Sequence, residues 1–376
     1  MGAPEPPALP ALTSLRFFAA LHVVLFHMGQ YFWRGAPWPL APVLAHGFVG
    51  VSFFFVLSGF ILGYVYGPRV RSGDFRQGAF WRARVARIYP LYLAGLVLAL
   101  PNFLAPSPAA LASTPHAGPL AALTVPTLTQ AWLPAHALAW NPPAWSLSVE
   151  AVFYLTFPWL AVRLLAARPR RPALLLGLLW ACSWVPGVLG AAAGPAFSPT
   201  STWWVFLLHS PLMHLAQFLL GVQAAAWRGE ATPSRTSLLR LQGACLAAIV
   251  AGLVLLPPSD AFNVALNNGL LAPAFAGLFA SLSFGPLGIG RWLGGGLLVL
   301  LGDASYGIYL FHQAIYPVSQ ALWRLAVGHY ALFSWPTFAF YLALLLAYSI
   351  AMHLLLERPA QAWIRGRRGA TAKAGR

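Results

Sequence analysis

Apolar residues in this chain do not alternate with the two-residue period of a half-buried strand. They run on for about 20 residues at a time between short polar or basic stretches, which predicts membrane-crossing α-helices. Ten spans are expected, near Leu12 to Phe32, Leu44 to Tyr66, Arg87 to Leu104, Ala144 to Leu165, Pro172 to Leu189, Trp204 to Trp227, Leu241 to Leu256, Ala265 to Phe284, Gly302 to Leu322 and Ala331 to Leu355. The fold class is therefore all-α, a polytopic helix bundle forming one domain over residues 1–376, with no repeat of fixed period. Pro, Ser and Thr interrupt the stretch 105–143, which reads as an outer loop with an interfacial or re-entrant piece. The basic tail 360–376 is expected to fray in the cytoplasm.

Composition agrees: 59% hydrophobic and 8% charged residues leave too little polar surface to cover a soluble protein of 376 residues. Sixteen Trp suit the headgroup interface. No cleavable signal peptide is expected, because the first apolar run is long and carries Arg16 and His27. Cys182 and Cys245 lie in apolar segments and read as buried small hydrophobes, with no disulfide expected.

The net charge of +16 comes from short basic clusters between spans, which argues for topology signals and against nucleic acid binding. With both termini cytoplasmic, 21 of 23 basic residues fall inside and only Arg34 and Arg324 outside. The positive-inside rule supports that orientation, and a multi-pass protein of the cell inner (plasma) membrane, in contact with the lipid bilayer, is expected.

Against this background the few ionisable groups within spans stand out, since each costs about 2.5–3.5 kcal/mol at the centre of the hydrocarbon. Arg16 and His27, eleven residues apart, share a face of the first span about 16 Å apart along its axis, Arg16 toward the inner edge and His27 toward the outer. A snorkelling Arg and a packed His are the structural alternative. Glu150, in WSLSVEAVFYLTFP, is expected at the depth of His27, where it would fix the imidazole tautomer and stabilise imidazolium; a neutral Glu150 bonded to backbone or Trp145 is the alternative.

Gly47, Gly50, Gly59 and Gly63 of the second span, with Ser52 and Ser58, read first as close helix packing. Arg84 and Arg87 share a face at the cytoplasmic mouth, where phosphates, anionic lipid or topology account for them equally. In LGDASYGIYLFHQ, Asp303 is placed to cap a helix, and His312 lies near mid-membrane, taken alone a packed polar residue. No His/Cys/Asp/Glu cluster has metal spacing, and no metal or tightly bound cofactor is expected.

Taken in order, Arg16-x10-His27, VSFFFVLSGFIL, RARVARIYPLY, WSLSVEAVFYLTFP and GDASYGIYLFH resemble the acyltransferase-3 family over nearly the whole chain. The resemblance implies a ten-span enzyme that takes an acyl group, usually acetyl, from cytosolic acyl-CoA and passes it to a hydroxyl of a carbohydrate or glycosylated acceptor. It implies that Arg16 and His27 are essential and that Arg84 and Arg87 serve the donor. His27 then acts as general base or acyl carrier with Glu150 orienting it, Arg16 aids both catalysis and donor binding, and Trp145, Ser146, Ser58, Tyr306 and His312 are expected around the acceptor. Thr13 stands where the family often has Asp, and Phe17 where Gly is frequent. The fused hydrolase-like domain of many polysaccharide O-acetyltransferases is not expected here.

A transporter or flippase would use the same polar stripe as a proton or substrate path. It would be expected to have broken helices and inverted repeats, of which the sequence gives no clear sign.

Overall fold

In a computed structural model of the chain, the described residues are 6–30, 37–105, 118–166, 172–192, 201–257, 259–328 and 334–364. Among them every regular element is helical. The principal helices are α1 (Pro10–Met28), α2 (Val49–Arg71), α3 (Gln77–Leu104), α4 (Trp145–Ala166), α5 (Pro172–Ala192), α6 (Thr202–His209), α7 (Pro211–Glu230) and α8 (Arg235–Leu255). They continue with α9 (Asp260–Asn267), α10 (Ala272–Leu282), α11 (Gly296–Asp303), α12 (Ser305–Phe311), α13 (Tyr316–Val327), α14 (Trp335–Met352) and, after a π-helical turn at His353–Glu357, α15 (Arg358–Ile364). Prolines open α1, α7, α10, α13 and α14, where the missing N–H is no loss. Serines at 201, 210, 234 and 334 cap the helices that follow them.

Eight helical stretches among the described residues are long and apolar enough to cross a membrane. The 22 residues of α4 reach about 33 Å, also a full crossing. The ninth expected span is different: it is divided into α11, α12 and α13. The sixth and eighth are also interrupted, between α6 and α7 and between α9 and α10, so the sequence-based expectation of unbroken spans is corrected at three places. At the first break Ser210 precedes Pro211 and is extended, as proline demands of its neighbour. At the second, Gly269 has φ +98°, a conformation that favours glycine. The carbonyls freed there are answered internally: Asn267 donates to Leu208 O (3.0 Å), Asn268 to Leu207 O (3.0 Å) and Trp180 to Gly269 O (2.7 Å).

Small residues set the central packing. A Cβ on Gly59 would stand 1.9 Å from the Phe218 carbonyl, and one on Gly221 2.0 Å from that of Val56, so α2 and α7 touch backbone to backbone. Gly47 and Gly50 bring α2 and the segment before it onto α1 at His22 and Ala19 in the same way. Leu174, Val97, Leu325 and Leu355 point outward, as a lipid-facing surface allows. Both cysteines are free, but only Cys245 is buried; Cys182 is exposed on α5, against expectation, because that helix packs at the edge of the bundle.

The boundaries also move. The third helix starts ten residues before the expected Arg87, since its basic first turns are good helix formers that an apolarity criterion discards. The last pass continues through 360–364 as helix; the remainder of the expected frayed tail lies outside the described residues. Of the stretch 105–143, residues 118–143 hold a short helix and 3-10 turns, tied down by Gln130 to Ala144 O (3.1 Å), Ser148 to Leu128 O (2.6 Å) and Trp140 to Leu96 O (2.9 Å).

Candidate functional site

Helices α1, α2, α3, α4 and α12 enclose a cavity of about 270 Å³. Its polar wall is made by Arg16 and Thr13 of α1, Ser58 of α2, Arg84 and Arg87 of α3, Ser146, Glu150 and Tyr154 of α4, and Tyr306 and Tyr309 of α12. Seven residues singled out in the sequence therefore meet in one place: Arg16, Ser58, Arg84, Arg87, Ser146, Glu150 and Tyr306.

Glu150 Oε1 accepts hydrogen bonds from Ser58 Oγ (3.0 Å) and Tyr154 Oη (2.5 Å). The expected contact with His27 is absent: α4 packs on α2, α3 and α7, whereas α1 packs on α2, α11 and α12. The expected common depth is corrected too: Glu150 shares the cavity with Thr13 and Arg16, about 16 Å along α1 from His27, and the two residues have different neighbours. Tyr154 was not found from sequence, although its place four residues after Glu150 puts both on one helix face.

The three arginines differ. Arg16 makes no hydrogen bond or close ion pair among the described residues, and its nearest opposite charges, at longer range, are Asp303 and Glu150. Arg84 is surrounded by rings, its guanidinium carbon 5.7–5.8 Å from the centroids of Tyr66, Phe80 and Tyr154. Arg87 is ion-paired with the fully buried Glu357, which also accepts from Gln361 (2.9 Å) and lies 2.8 Å from His353 Nδ1. Arg87 thus lines the cavity with its charge already answered. The π-helical turn carries this arrangement by bringing His353 and Glu357 to one side. Asp303, expected as a cap, makes no cap bond to α12 and stands 3.6 Å from Arg358.

Two residues expected around the acceptor lie behind the wall. Trp145 does not line the cavity; its ring packs against His209 (4.7 Å) and His214 (5.3 Å). His312 is fully buried, its Nδ1 2.6 Å from Tyr309 O and its Nε2 3.3 Å from His27 Nδ1. Ser146 does face the cavity and bonds Tyr309 Oη at 2.9 Å. Tyr306 donates to Ile88 O at 3.0 Å.

His27 is partly buried beyond the cavity. The rings run in sequence from Phe54 to Tyr309 (6.0 Å), Tyr309 to His312 (6.1 Å) and His312 to His27 (5.1 Å), so Phe54 and Tyr309 stand between the open space and the imidazole pair. Among the described residues no group of three His, Cys, Asp or Glu is arranged to hold a metal ion.

A polar cavity linked through rings to a histidine pair suits group transfer, and the comparison with known proteins names the group. A family model described as an acyltransferase domain, that of the acyltransferase-3 family, matches residues 9–354. The chain belongs to this family. Its members transfer acyl groups, and this one is a multi-pass membrane protein. The chain is similar to Acyltransferase MdmB of Streptomyces mycarofaciens, with 31% identity covering 97% of this chain and 95% of the relative. It is 28% identical to O-acetyltransferase OatA of Staphylococcus aureus over 41% of this chain, a quarter (25%) of that relative. YrhL of Bacillus subtilis, whose name marks it as a candidate peptidoglycan O-acetyltransferase, is 26% identical over 82% of this chain and 48% of its own length. No solved structure matches.

Proposed function

We propose that this acyltransferase moves an acyl group, acetyl in the first instance, from cytosolic acyl-CoA to a hydroxyl of a sugar or glycoconjugate. The observation that carries the reading is the placement on one helix of Arg16 in the polar cavity and His27 beyond its far end, about 16 Å apart. Positive-inside topology puts the Arg84 end of the cavity toward the cytosol. Arg84 has only weak partners, a 3.5 Å contact with Tyr66 Oη and ring faces, and is available to a phosphate of the donor, with Arg87 beside it. The pantetheine arm runs past Arg16, and the acceptor approaches His27 from the outer side.

There Nε2 of His27, which has no hydrogen-bond partner among the described residues, takes the proton of the acceptor hydroxyl. The oxygen forms a bond to the thioester carbonyl carbon, the carbon–sulfur bond breaks, and the proton passes from imidazolium to the departing CoA thiolate. Glu150 acts on the donor side, balancing Arg16 and held by Ser58 and Tyr154. Broken passes are also found in transporters, but membership of an acyltransferase family favours transfer.

The test supplies labelled acetyl-CoA to inverted membrane vesicles and identifies the labelled product by mass spectrometry. Ester-linked acetyl on a glycan supports the reading, and label confined to protein or water refutes it. His27→Ala is expected to lower transfer by about 10²–10⁴-fold, the usual contribution of a positioned general base; wild-type transfer by that variant removes His27 from the chemistry.

A further inference from the structure

A fully buried histidine outside the cavity needs a reason, since an apolar residue of similar size would pack there without leaving a polar nitrogen to satisfy. His312 sits where α12 ends, and Tyr341 of α14 donates to its backbone carbonyl at 2.9 Å. Its ring contacts decide its protonation. Tyr309 O is a carbonyl and accepts only, so Nδ1 of His312, 2.6 Å away, carries the proton. Nε2 of His312 is then the nitrogen with the lone pair, and it faces Nδ1 of His27 at 3.3 Å.

Nδ1 of His27 is also 3.0 Å from the Val23 carbonyl, a second acceptor. It therefore carries a proton shared between these two acceptors, and the lone pair of His27 is left on Nε2. We infer that His312 is a positioning residue for His27: Tyr309 O, His312 and His27 form a relay of hydrogen bonds that orients the catalytic imidazole and holds its Nε2 as the base. The arrangement uses a neutral imidazole where many transfer enzymes place a carboxylate. A neutral acceptor suits this depth, because a second ionised group would carry a large desolvation cost in hydrocarbon. As His27 takes the hydroxyl proton, its Nδ1–H bond to His312 becomes charge-assisted and strengthens, so the contact favours the transition state over the ground state.

The inference rests on the reading of His27 as the general base, and the experiment separates the two. The full-length protein and its His27→Ala, His312→Leu and His312→Gln variants, together with the His27→Ala/His312→Leu double variant, are assayed in membranes with labelled acetyl-CoA. His312→Leu is expected to lower kcat by about 10- to 100-fold, the scale on which loss of an orienting partner acts, with KM for acetyl-CoA unchanged. His312→Gln, which presents a carbonyl oxygen near the former Nε2, is expected to recover most of the rate. The double variant should lose no more than His27→Ala alone. His312→Leu at the wild-type rate beside a dead His27→Ala overturns the inference and leaves the proposed function standing. Equal loss in the Leu and Gln variants, or a rise in KM matching the fall in kcat, assigns His312 to packing and overturns it too. Wild-type transfer by His27→Ala fails the catalytic reading itself, and the relay with it.

Discussion

Glu150 shows how a residue can be singled out by its cost in hydrocarbon and yet be expected with the wrong partner. Its cost in hydrocarbon marked it out in the sequence, and it does face the cavity, but its partners are two hydroxyls and not an imidazole. Tyr154 supplies the shorter of the two hydrogen bonds. Tyr154→Phe should leave the carboxylate under-bonded, at a cost of about 1–3 kcal/mol. The expected result is a lower thermal midpoint in detergent. Tyr89→Phe, whose hydroxyl is 3.5 Å from the Pro126 carbonyl, should leave the midpoint nearly unchanged. Equal midpoints for Tyr154→Phe and the wild type would mean that Glu150 does not depend on that hydroxyl. The same contrast between finding and pairing holds for His312, which was legible as a mid-membrane polar residue but whose bond to His27 depends on how α1 and α12 lie against each other.

At the level of elements, the most informative departures from regular helix are the π-helical turn and the three broken passes. The turn at His353–Glu357 buries a carboxylate at the end of an apolar helix and ties α14 to α3 through Arg87. Removing one member of a buried ion pair typically costs about 3–5 kcal/mol, whereas replacing both with apolar residues is often neutral. Arg87→Met is therefore expected to destabilise more than the Arg87→Met/Glu357→Met double variant, measured by thermal unfolding in detergent. A double variant no more stable than the single one would show that the pair does not act as a unit. The breaks have a similar logic. Pro211 lies within the apolar run expected as one span, and the neighbouring break near Gly269 gains its meaning only when Asn267 and Asn268 donate to the carbonyls of residues 208 and 207.

Across the whole molecule, exposed Trp38, Trp203 and Trp335 precede or open passes at one end of the bundle, and exposed Trp292 and Trp363 lie at the other, as two interfacial belts would. Orientation then follows from charge. In a background lacking Cys182 and Cys245, Trp38→Cys should react with a membrane-impermeant maleimide in intact cells. Asp74→Cys, in the exposed turn between α2 and α3, should react only after the membrane is breached; the reverse pattern would invert the topology and the direction of transfer. The sequence by itself determined the solvent, the all-helical class, and a short set of candidate polar residues, because hydrocarbon penalises every charge and leaves few of them. It also gave the separation of Arg16 and His27 along their own helix, at about 1.5 Å per residue, though not the depth of Glu150, which lies beside Arg16. Only the tertiary structure decided who meets whom. A helix turned or slid against its neighbour keeps its apolar pattern, so lateral pairing depends on the glycine contacts between α2 and α7, on the helix breaks and on the π-helical turn. That is why Arg16 and His27 were found together on one helix, while Glu150 with Tyr154, Arg87 with Glu357 and His27 with His312 had to be seen in three dimensions.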